Sequence, residues 1–224
     1  MSDQQANLEW RDGAVPVSTR FDDPYFSLEN GLAETRHVFL QGNDLPARFV
    51  PGFHIGELGF GTGLNLLTTW AAWDTAGMTT PLQFTSFEAF PMTAPDMARA
   101  LEVFPELAGY AERLVAAWAE DTSLSTLEGV TARVVTGDAR QTLAGEKFIV
   151  DAWFLDGFSP AKNPELWGAD LMTQVGAHTK AGGTAATYTA AGFVRRNLTD
   201  AGFEVTRVPG FGRKRHMTIA RKLA

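Results

Sequence analysis

The feature that most constrains the fold is a regular alternation of apolar strand-like segments with helix-like segments, which begins at residue 53. Such alternation predicts an α/β fold with a doubly wound, mostly parallel sheet of about seven strands. The last two strand patterns are joined by only about six residues, too few for a parallel crossover, so we expect a C-terminal antiparallel hairpin. The predicted strands are 53–59, 82–88, 130–138, 148–157, 182–189, 203–210 and 216–223, and predicted helices include 31–41, 64–77, 164–179 and 191–202.

Composition narrows the class of protein. The chain is 45% hydrophobic and 20% charged, which is typical of a globular protein, and it has no cysteine, which excludes disulfides, thiolate metal sites and a cysteine nucleophile. Its four histidines are scattered without metal-ligand spacing, so we expect no metal. No apolar run approaches the roughly 18 residues that span a bilayer, and the polar N-terminus does not resemble a signal peptide. We therefore expect a soluble, cytoplasmic protein that does not bind membranes.

The glycine-rich segment 57–63, Glu-Leu-Gly-Phe-Gly-Thr-Gly, lies where the first strand meets a helix. Glycines at that place let a ligand approach the backbone closely. A dinucleotide fingerprint fails here, because Leu64 or Leu66 stands where its last glycine should be, and no Lys-Ser/Thr follows as in a phosphate-binding loop. The spacing is that of Rossmann-like enzymes that use S-adenosyl-L-methionine (SAM). The alternative is an ordinary glycine turn.

Three acidic residues follow predicted strands. Glu88 lies 25 residues after Gly63, where a carboxylate can accept hydrogen bonds from ribose hydroxyls, although it could simply be a solvated strand end. Asp138 could accept from an adenine amine or serve as a helix N-cap. Asp156 ends an almost wholly apolar strand and could accept a hydrogen bond from an attacking amine, or only organise its turn. Because parallel strands end at one edge of a sheet, we expect a shared cleft.

Basic residues are concentrated near the C-terminus. The net charge of −7 argues weakly against nucleic acid as a partner, but residues 195–224 carry eight Lys/Arg against two Asp/Glu. The basic turn 210–215 and Arg195 with Arg196 start from the same sheet edge as the glycine segment, which would suit a phosphate backbone. Phe158, Phe193 and Phe211 could stack on a base. The alternative is a solvated basic hairpin with core aromatics.

Several segments together closely resemble the methyltransferase domain of the bifunctional tRNA 5-methylaminomethyl-2-thiouridine biosynthesis (MnmC) family. They are IGELGFGTGLNLLTTW, SFEAFP, WFLDGFSPAKNPELW, AGGTAATYTAAGFVRRNL and GFGRKRHM, with a similar lead-in, PVSTRFDDPYFSLENGLAETRHVFLQGNDLPAR. The resemblance extends over residues 8–220. The DGF-PAKNP-LW and FGRKR blocks are specific to this family, whereas the glycine motif is shared with SAM enzymes generally.

The resemblance implies transfer of methyl from SAM to the primary amine of 5-aminomethyl-(2-thio)uridine at the tRNA wobble position. It implies a lead-in, 1–50, that packs over the cofactor site, and a methyltransferase domain, 51–224. Asp156 is the implied catalytic residue, facing methyl and amine. Implied cofactor contacts are Glu57, Gly59, Phe60, Gly61, Gly63, Asn65, Glu88, Ala89, Asp138, Ala139, Asp156, Tyr25 and Ser27; implied substrate contacts are Phe158, Pro160, Asn163, Arg195, Arg196, Phe211, Arg213, Lys214 and Arg215.

Bifunctional family members continue into an FAD-dependent oxidase, whereas this sequence ends at Ala224. We therefore expect a stand-alone form that performs only the methylation, with tRNA as partner and a separate enzyme supplying the aminomethyluridine. Two alternatives stay open. One is a SAM-dependent methyltransferase of a small-molecule or protein amine, which the net charge favours. The other is a non-catalytic binding module that retains the fold.

Overall fold

A computed structural model of the chain describes residues 5–27, 30–124 and 126–224. Residues 1–4, 28, 29 and 125 lie outside the described residues, so the predicted lead-in, 1–50, is described only in part. Within the described residues, no helix combines the length and apolar character needed to cross a membrane.

The described elements follow the predicted alternation. The strands are β1 (Leu8–Arg11), β2 (Val15–Ser18), β3 (Asp23–Pro24), β4 (His54–Leu58), β5 (Leu82–Glu88), β6 (Thr126–Leu127), β7 (Val130–Thr136), β8 (Val150–Leu155), β9 (Thr179–Thr187), β10 (Phe203–Pro209) and β11 (His216–Lys222). The α-helices are α1 (Gly31–Thr35), α2 (Leu64–Thr75), α3 (Ala94–Leu101), α4 (Ala108–Glu120), α5 (Ala139–Thr142), α6 (Ala169–Ala177) and α7 (Gly192–Asp200).

The central sheet has eight strands in the order β10-β11-β9-β8-β4-β5-β7-β6. Strands β4, β5, β7, β8 and β9 pair in parallel, and β11 pairs antiparallel with both β9 and β10. This confirms the mostly parallel sheet with a C-terminal antiparallel hairpin. The strand beyond the predicted seven is β6, which has two residues and is therefore too short to produce a sequence pattern.

The apolar strand β8 lies near the centre of the sheet, between β4 and β9. Trp153 packs in a core on one face with residues of α6 and α7, and Phe154 packs in a core on the other face with residues of α2 and α4. Both side chains are fully buried. Because each face is covered by helices, the strand is apolar throughout rather than alternating.

Two element boundaries differ from the predictions. The predicted helix 164–179 begins as a 3-10 turn, Pro164–Trp167, and α6 starts only after Gly168, whose extended backbone interrupts the helix. The predicted strand 182–189 begins earlier, at residue 179, where Thr179 pairs with Val150 of β8; a register irregularity follows before Thr184 pairs with Ala152. Helix α2 ends before Gly77, which has the expected left-handed backbone.

The N-terminal segment forms a separate three-stranded antiparallel sheet, β1-β2-β3. A helical stretch follows, in which α1 continues as a π turn, Arg36–Leu40, and a 3-10 turn, Gln41–Asn43. The Asn43 side chain ties this stretch to the central sheet, because its Nδ2 donates a hydrogen bond to the Trp153 carbonyl at 3.3 Å. Residues within 20–27 and 31–39 reach the edge where the parallel strands end.

Candidate active site

A cavity of about 660 Å³ opens at the carboxyl edge of the central sheet. Its wall is formed by residues at or just beyond the ends of β4, β5, β7, β8 and β9, by the turn between β10 and β11, and by N-terminal residues within 20–27 and 31–39. The volume lies within the roughly 300–1,000 Å³ of small-molecule and cofactor sites. The residues predicted to converge on one edge therefore lie around a shared, open cleft.

The glycine segment forms the wall nearest α2. Gly59 and Gly61 have φ of +87° and +55°, values that favour glycine. A Cβ on Gly59 would lie 3.0 Å from the Gly157 Cα, and one on Gly61 would lie 3.1 Å from the Tyr25 ring. Gly63 instead faces α4, where a Cβ would meet the Leu114 side chain at 2.6 Å. The segment is therefore closely packed between the loop after β8 and the N-terminal segment.

Glu88 ends β5 and lines the cavity. Its Oε2 accepts a hydrogen bond from the Gly61 N–H at 2.9 Å, and its Oε1 accepts one from the Phe90 N–H at 2.8 Å. Burial raises the pKa of Glu88, while these backbone donors oppose the rise. The Ala89 and Phe60 N–H groups also act on this carboxylate, which lines the cavity and can accept a hydroxyl donor from a ligand there.

Asn65 connects two carboxyl groups. Its Nδ2 donates to Glu57 Oε1 at 2.9 Å and to Asp156 Oδ2 at 2.8 Å, while its Oδ1 accepts from the Thr35 hydroxyl at 3.2 Å. Glu57 is fully buried at the end of β4 and also accepts from the Ser86 hydroxyl at 2.6 Å. Burial raises the pKa of Glu57 to about 8. Glu57 therefore lies beneath the cavity floor and supports Asn65 from behind.

Asp156 follows β8 directly and faces the cavity. Its Oδ1 accepts from the Gly157 N–H at 2.8 Å. Burial raises the pKa of Asp156 to about 6, although the hydrogen bonds from Asn65 and Gly157 oppose that rise. At neutral pH most of this group is ionised, yet it is far more basic than an ordinary aspartate. It can therefore accept a hydrogen bond or a proton from a ligand in the cavity.

Asp138 has the helix-capping role that the sequence left open. It is the N-cap of α5, and its Oδ1 accepts from the Arg140 N–H at 2.9 Å. The Arg140 guanidinium also binds this carboxylate and lowers the pKa of Asp138. Asp138 lines the cavity, so the contact with an adenine amine stays a prediction.

Among the cavity residues that the sequence analysis missed, two have side chains that form polar contacts important for the site. Tyr188 follows β9 directly, and its hydroxyl donates to the Gly157 carbonyl at 2.8 Å. Glu34 lies in α1 and accepts from Lys214 Nζ at 2.8 Å. The predicted strand 182–189 contained Tyr188, so the strand-end rule that selected Asp156 passed over it; the observed strand ends at Thr187, one residue earlier. No sequence signal marked Glu34, because an acidic residue in a short helix is usually solvated.

The N-terminal segment also holds the loop after β8. The Phe21 ring stacks on the Phe158 ring with centroids 4.6 Å apart, and the Tyr25 ring meets Phe158 edge-on at 5.1 Å. Asp23 Oδ2 accepts from the Ser159 N–H at 2.8 Å. Burial, reinforced by the charge of Glu88, raises the pKa of Tyr25, so this phenol stays neutral. These contacts form one side of the cavity mouth.

Most predicted site residues meet at this cavity. The predicted cofactor contacts in its wall are Gly59, Phe60, Gly61, Asn65, Glu88, Ala89, Asp138, Ala139, Asp156, Tyr25 and Ser27, whereas Glu57 and Gly63 lie behind it. The predicted substrate contacts in its wall are Phe158, Asn163, Phe211, Arg213 and Lys214, whereas Pro160, Arg195, Arg196 and Arg215 lie outside the wall, as does Phe193. Within 5–27, 30–124 and 126–224, no group of three His, Asp or Glu residues is arranged to hold a metal ion.

Comparisons with known proteins show which proteins the chain is similar to. The chain is 46% identical to the "tRNA 5-methylaminomethyl-2-thiouridine biosynthesis bifunctional protein MnmC" of Aliivibrio fischeri, over 95% of this chain but 34% of that protein. The chain therefore spans about a third of the length of this relative. The crystal structure of MNMC2 from Aquifex aeolicus matches with a TM-score of 0.76 and 27% identity, over 97% of this chain and 71% of that one.

A more distant structure shares the fold. The precorrin-6y C5,15-methyltransferase of Geobacter metallireducens matches with a TM-score of 0.52 and 11% identity, over 96% of this chain and 98% of that one. A family described as "S-adenosyl-L-methionine-dependent methyltransferase" matches residues 105–223. Because that match covers more than half of a chain with a Rossmann-like sheet and a cavity at its carboxyl edge, the protein belongs to the S-adenosyl-L-methionine-dependent methyltransferases.

Proposed function

We propose that the protein methylates the primary amine of 5-aminomethyl-(2-thio)uridine at the wobble position of tRNA, in the cytoplasm, giving 5-methylaminomethyl-2-thiouridine. The observation that carries this proposal is the 46% identity, over 95% of the chain, to a protein named for the biosynthesis of that nucleoside. The geometry at Asp156 supports it, because a partly ionised carboxyl in a cavity wall is suited to an amine substrate.

The cavity residues fit SAM. Gly59 and Gly61 line the cavity and carry no side chain, so a ligand can approach their backbone closely. We assign the ribose hydroxyls to the carboxylate of Glu88, and the methionine part to the glycine segment and Asn65. The adenine is assigned to the wall formed by Ala89, Asp138 and Ala139. Asp138 would then share its carboxylate between Arg140 and the adenine amine.

Methyl transfer needs little acid–base chemistry from the protein. SAM supplies an activated methyl group, to which the amine nitrogen forms a bond as the sulfur–carbon bond breaks. The main task of the site is to hold the neutral amine in line, a proximity effect worth up to about 7–11 kcal/mol. Asp156 accepts a hydrogen bond from the amine, orients its lone pair, and takes the N–H proton released after transfer, directly or through water.

The mouth of the cavity has features suited to RNA. Phe158 and Phe211 lie in its wall and could stack on a base, and Asn163 could contact its edge. Arg213 and Arg215 are exposed in the turn between β10 and β11. We assign these arginines to phosphates, with Arg195 and Arg196 further out along the same surface.

The test is SAM-dependent methylation of tRNA that carries 5-aminomethyl-2-thiouridine, followed by mass analysis of the nucleosides. We expect one added methyl group on that nucleoside and none on tRNA lacking the aminomethyl group. Parallel reactions with protein extract and with small amines test the alternative, which the net charge of −7 favours. If SAM binds and methyl appears only on another amine, the tRNA assignment is wrong and the methyltransferase assignment stands.

We also propose that another enzyme supplies the aminomethyluridine. Methyl transfer consumes an amine that must already be present on the base, and the chemistry assigned to Asp156 does not create it. Adding the protein to tRNA without that group should therefore give no methylated nucleoside until an aminomethyl-forming activity is added.

A further inference from the structure

A cluster of side chains from separate elements surrounds the Asp156 loop. In the turn between β10 and β11, Lys214 Nζ lies 2.8 Å from Glu34 Oε1 of α1 and 4.1 Å from the centre of the Tyr188 ring. The Tyr188 hydroxyl in turn donates to the carbonyl of Gly157 at 2.8 Å. These residues all line the cavity, so the cluster connects the C-terminal hairpin and the N-terminal segment to the proposed reaction centre.

We propose that Lys214 is a positioning residue whose ammonium group, held between Glu34 and the Tyr188 ring at the Asp156 loop, prepares Asp156 to receive the substrate amine. The proposal rests on the proposed function, because it assigns Lys214 a task in amine methylation. It also differs from the RNA contact that the sequence predicted for Lys214. The ammonium is directed to Glu34 and Tyr188 at the cavity, rather than outward to a phosphate.

The Lys214 side chain is restrained by more contacts than an ordinary surface lysine. Its side chain is 47% exposed, whereas the Glu34 side chain is only 12% exposed. A carboxylate with so little contact to water needs a partner, so moving Lys214 away would leave Glu34 poorly compensated. The aromatic ring adds a cation–π attraction on the other side of the ammonium. An ordinary solvated lysine has neither constraint.

The environment of Asp156 explains why a nearby positive charge matters. Glu57 lies on the other side of Asn65, and Glu34 and Tyr188 face the same cavity. The charge of Glu34 raises the pKa of Asp156, and the charge of Lys214 lowers it. The charged and titratable groups that face Asp156 or border this part of the cavity are Glu34, Asp23, Glu57, Glu88, Tyr188, Arg213 and Lys214.

The test measures the titration of Asp156 in the ligand-free protein by carbon-13 NMR of labelled aspartate carboxyl groups. Its signal is identified by loss in the Asp156→Asn variant. We expect Lys214→Met to raise the pKa of Asp156 by about one unit, and Glu34→Gln to lower it. Both variants break the same ion pair, so a purely structural role would move Asp156 in the same direction in both. Opposite shifts support the proposal; shifts of the same sign, or none, overturn it.

Two further variants complete the test. Lys180→Met removes a lysine that pairs with Asp151 at the opposite end of β8, and we expect it to leave the Asp156 titration unchanged. Lys214→Arg keeps the positive charge and should retain most of the normal value. A shift in Lys180→Met as large as that in Lys214→Met would overturn the proposal, because net charge alone would then explain it.

Activity provides the link to the reaction. In Lys214→Met the acidic limb of the kcat profile should move to higher pH by the same amount as the NMR titration, while the Kd of SAM, measured by calorimetry, stays within about twofold. An unmoved limb overturns the assigned task. The NMR titration uses no substrate, so absence of tRNA methylation would refute the proposed function without altering the measured effect of Lys214 on Asp156.

Discussion

Replacing Glu57 with glutamine isolates the energetic consequence of burying this carboxyl group. Glu57 is fully buried and accepts hydrogen bonds from Asn65 and Ser86. Glutamine has nearly the same shape. Its Oε1 can accept from the Asn65 amide, and its Nε2 can donate to the Ser86 hydroxyl oxygen. The Glu57→Gln variant therefore keeps the packing and removes only the ability to ionise.

The expected magnitude follows from the raised pKa. The pKa of Glu57 is 4.5 for an unperturbed group and about 8 in the folded protein. This difference corresponds to about 5 kcal/mol. Between these values the folded protein holds a proton that the unfolded chain has released. The contribution of the protonated Glu57 carboxyl to the free energy of unfolding is therefore fully present below pH 4.5. It is lost as the pH rises from 4.5 through 8, by up to about 1.4 kcal/mol per pH unit.

The assay is urea unfolding of both proteins at several values from pH 5 to pH 8. The free energy of unfolding of the unchanged protein is subtracted from that of Glu57→Gln at each pH, which cancels the contributions of the other titrating groups. We expect this difference to rise by about 3–4 kcal/mol from pH 5 to pH 8. Glu120→Gln, at an exposed position in α4, is the matched control for replacing a carboxyl group by an amide. A flat difference for Glu57→Gln would refute the assignment of a raised pKa to this group.

Three further predictions concern the reaction, the glycine segment and the RNA surface. Asp156→Asn should lower kcat at least about 100-fold with a much smaller change in the Kd of SAM, and equal losses in both would make Asp156 a cofactor-binding residue instead. Gly61→Ala places a Cβ 3.1 Å from Tyr25 at φ +55°. This variant should lower the free energy of unfolding, measured with urea, by about 1–2 kcal/mol and should weaken SAM binding. The control Gly109→Ala, in helix α4 with open space around the added Cβ, should show no such loss. Arg215→Ala should reduce the salt slope of tRNA binding by about one, and an unchanged slope would exclude this side chain from the RNA contact.

Much of the architecture could be predicted from local patterns. The apolar run of β8 indicated a strand covered on both faces, and the short connection before β11 required an antiparallel pair. The glycine segment and Glu88 could be placed at one sheet edge, since parallel strands end together. Their hydrogen bond, from Gly61 to Glu88 at 2.9 Å, is consistent with that reasoning.

Which basic side chains face the cavity could not be predicted from local patterns. Arg195 and Arg196 were placed correctly at the start of a helix that leaves the carboxyl edge, but neither lines the cavity. Arg195 Nε instead donates to the Ala190 carbonyl at 3.4 Å. Which side chains of a helix face a cleft depends on the rotation of the helix about its axis, and that rotation is set by packing against the sheet.

The sequence by itself determined the order and type of the elements, the glycine segment and the acidic strand ends, because these follow from periodicity and from the conformational freedom of single residues. Only the tertiary structure decided that Asn65 hydrogen-bonds both Glu57 and Asp156, the second of which lies 91 positions further along the chain. It also decided that Lys214 pairs with Glu34, which lies 180 positions earlier. These contacts depend on the docking of the N-terminal segment and the C-terminal hairpin on one sheet edge. No local pattern encodes such docking, since it results from the packing of the whole core.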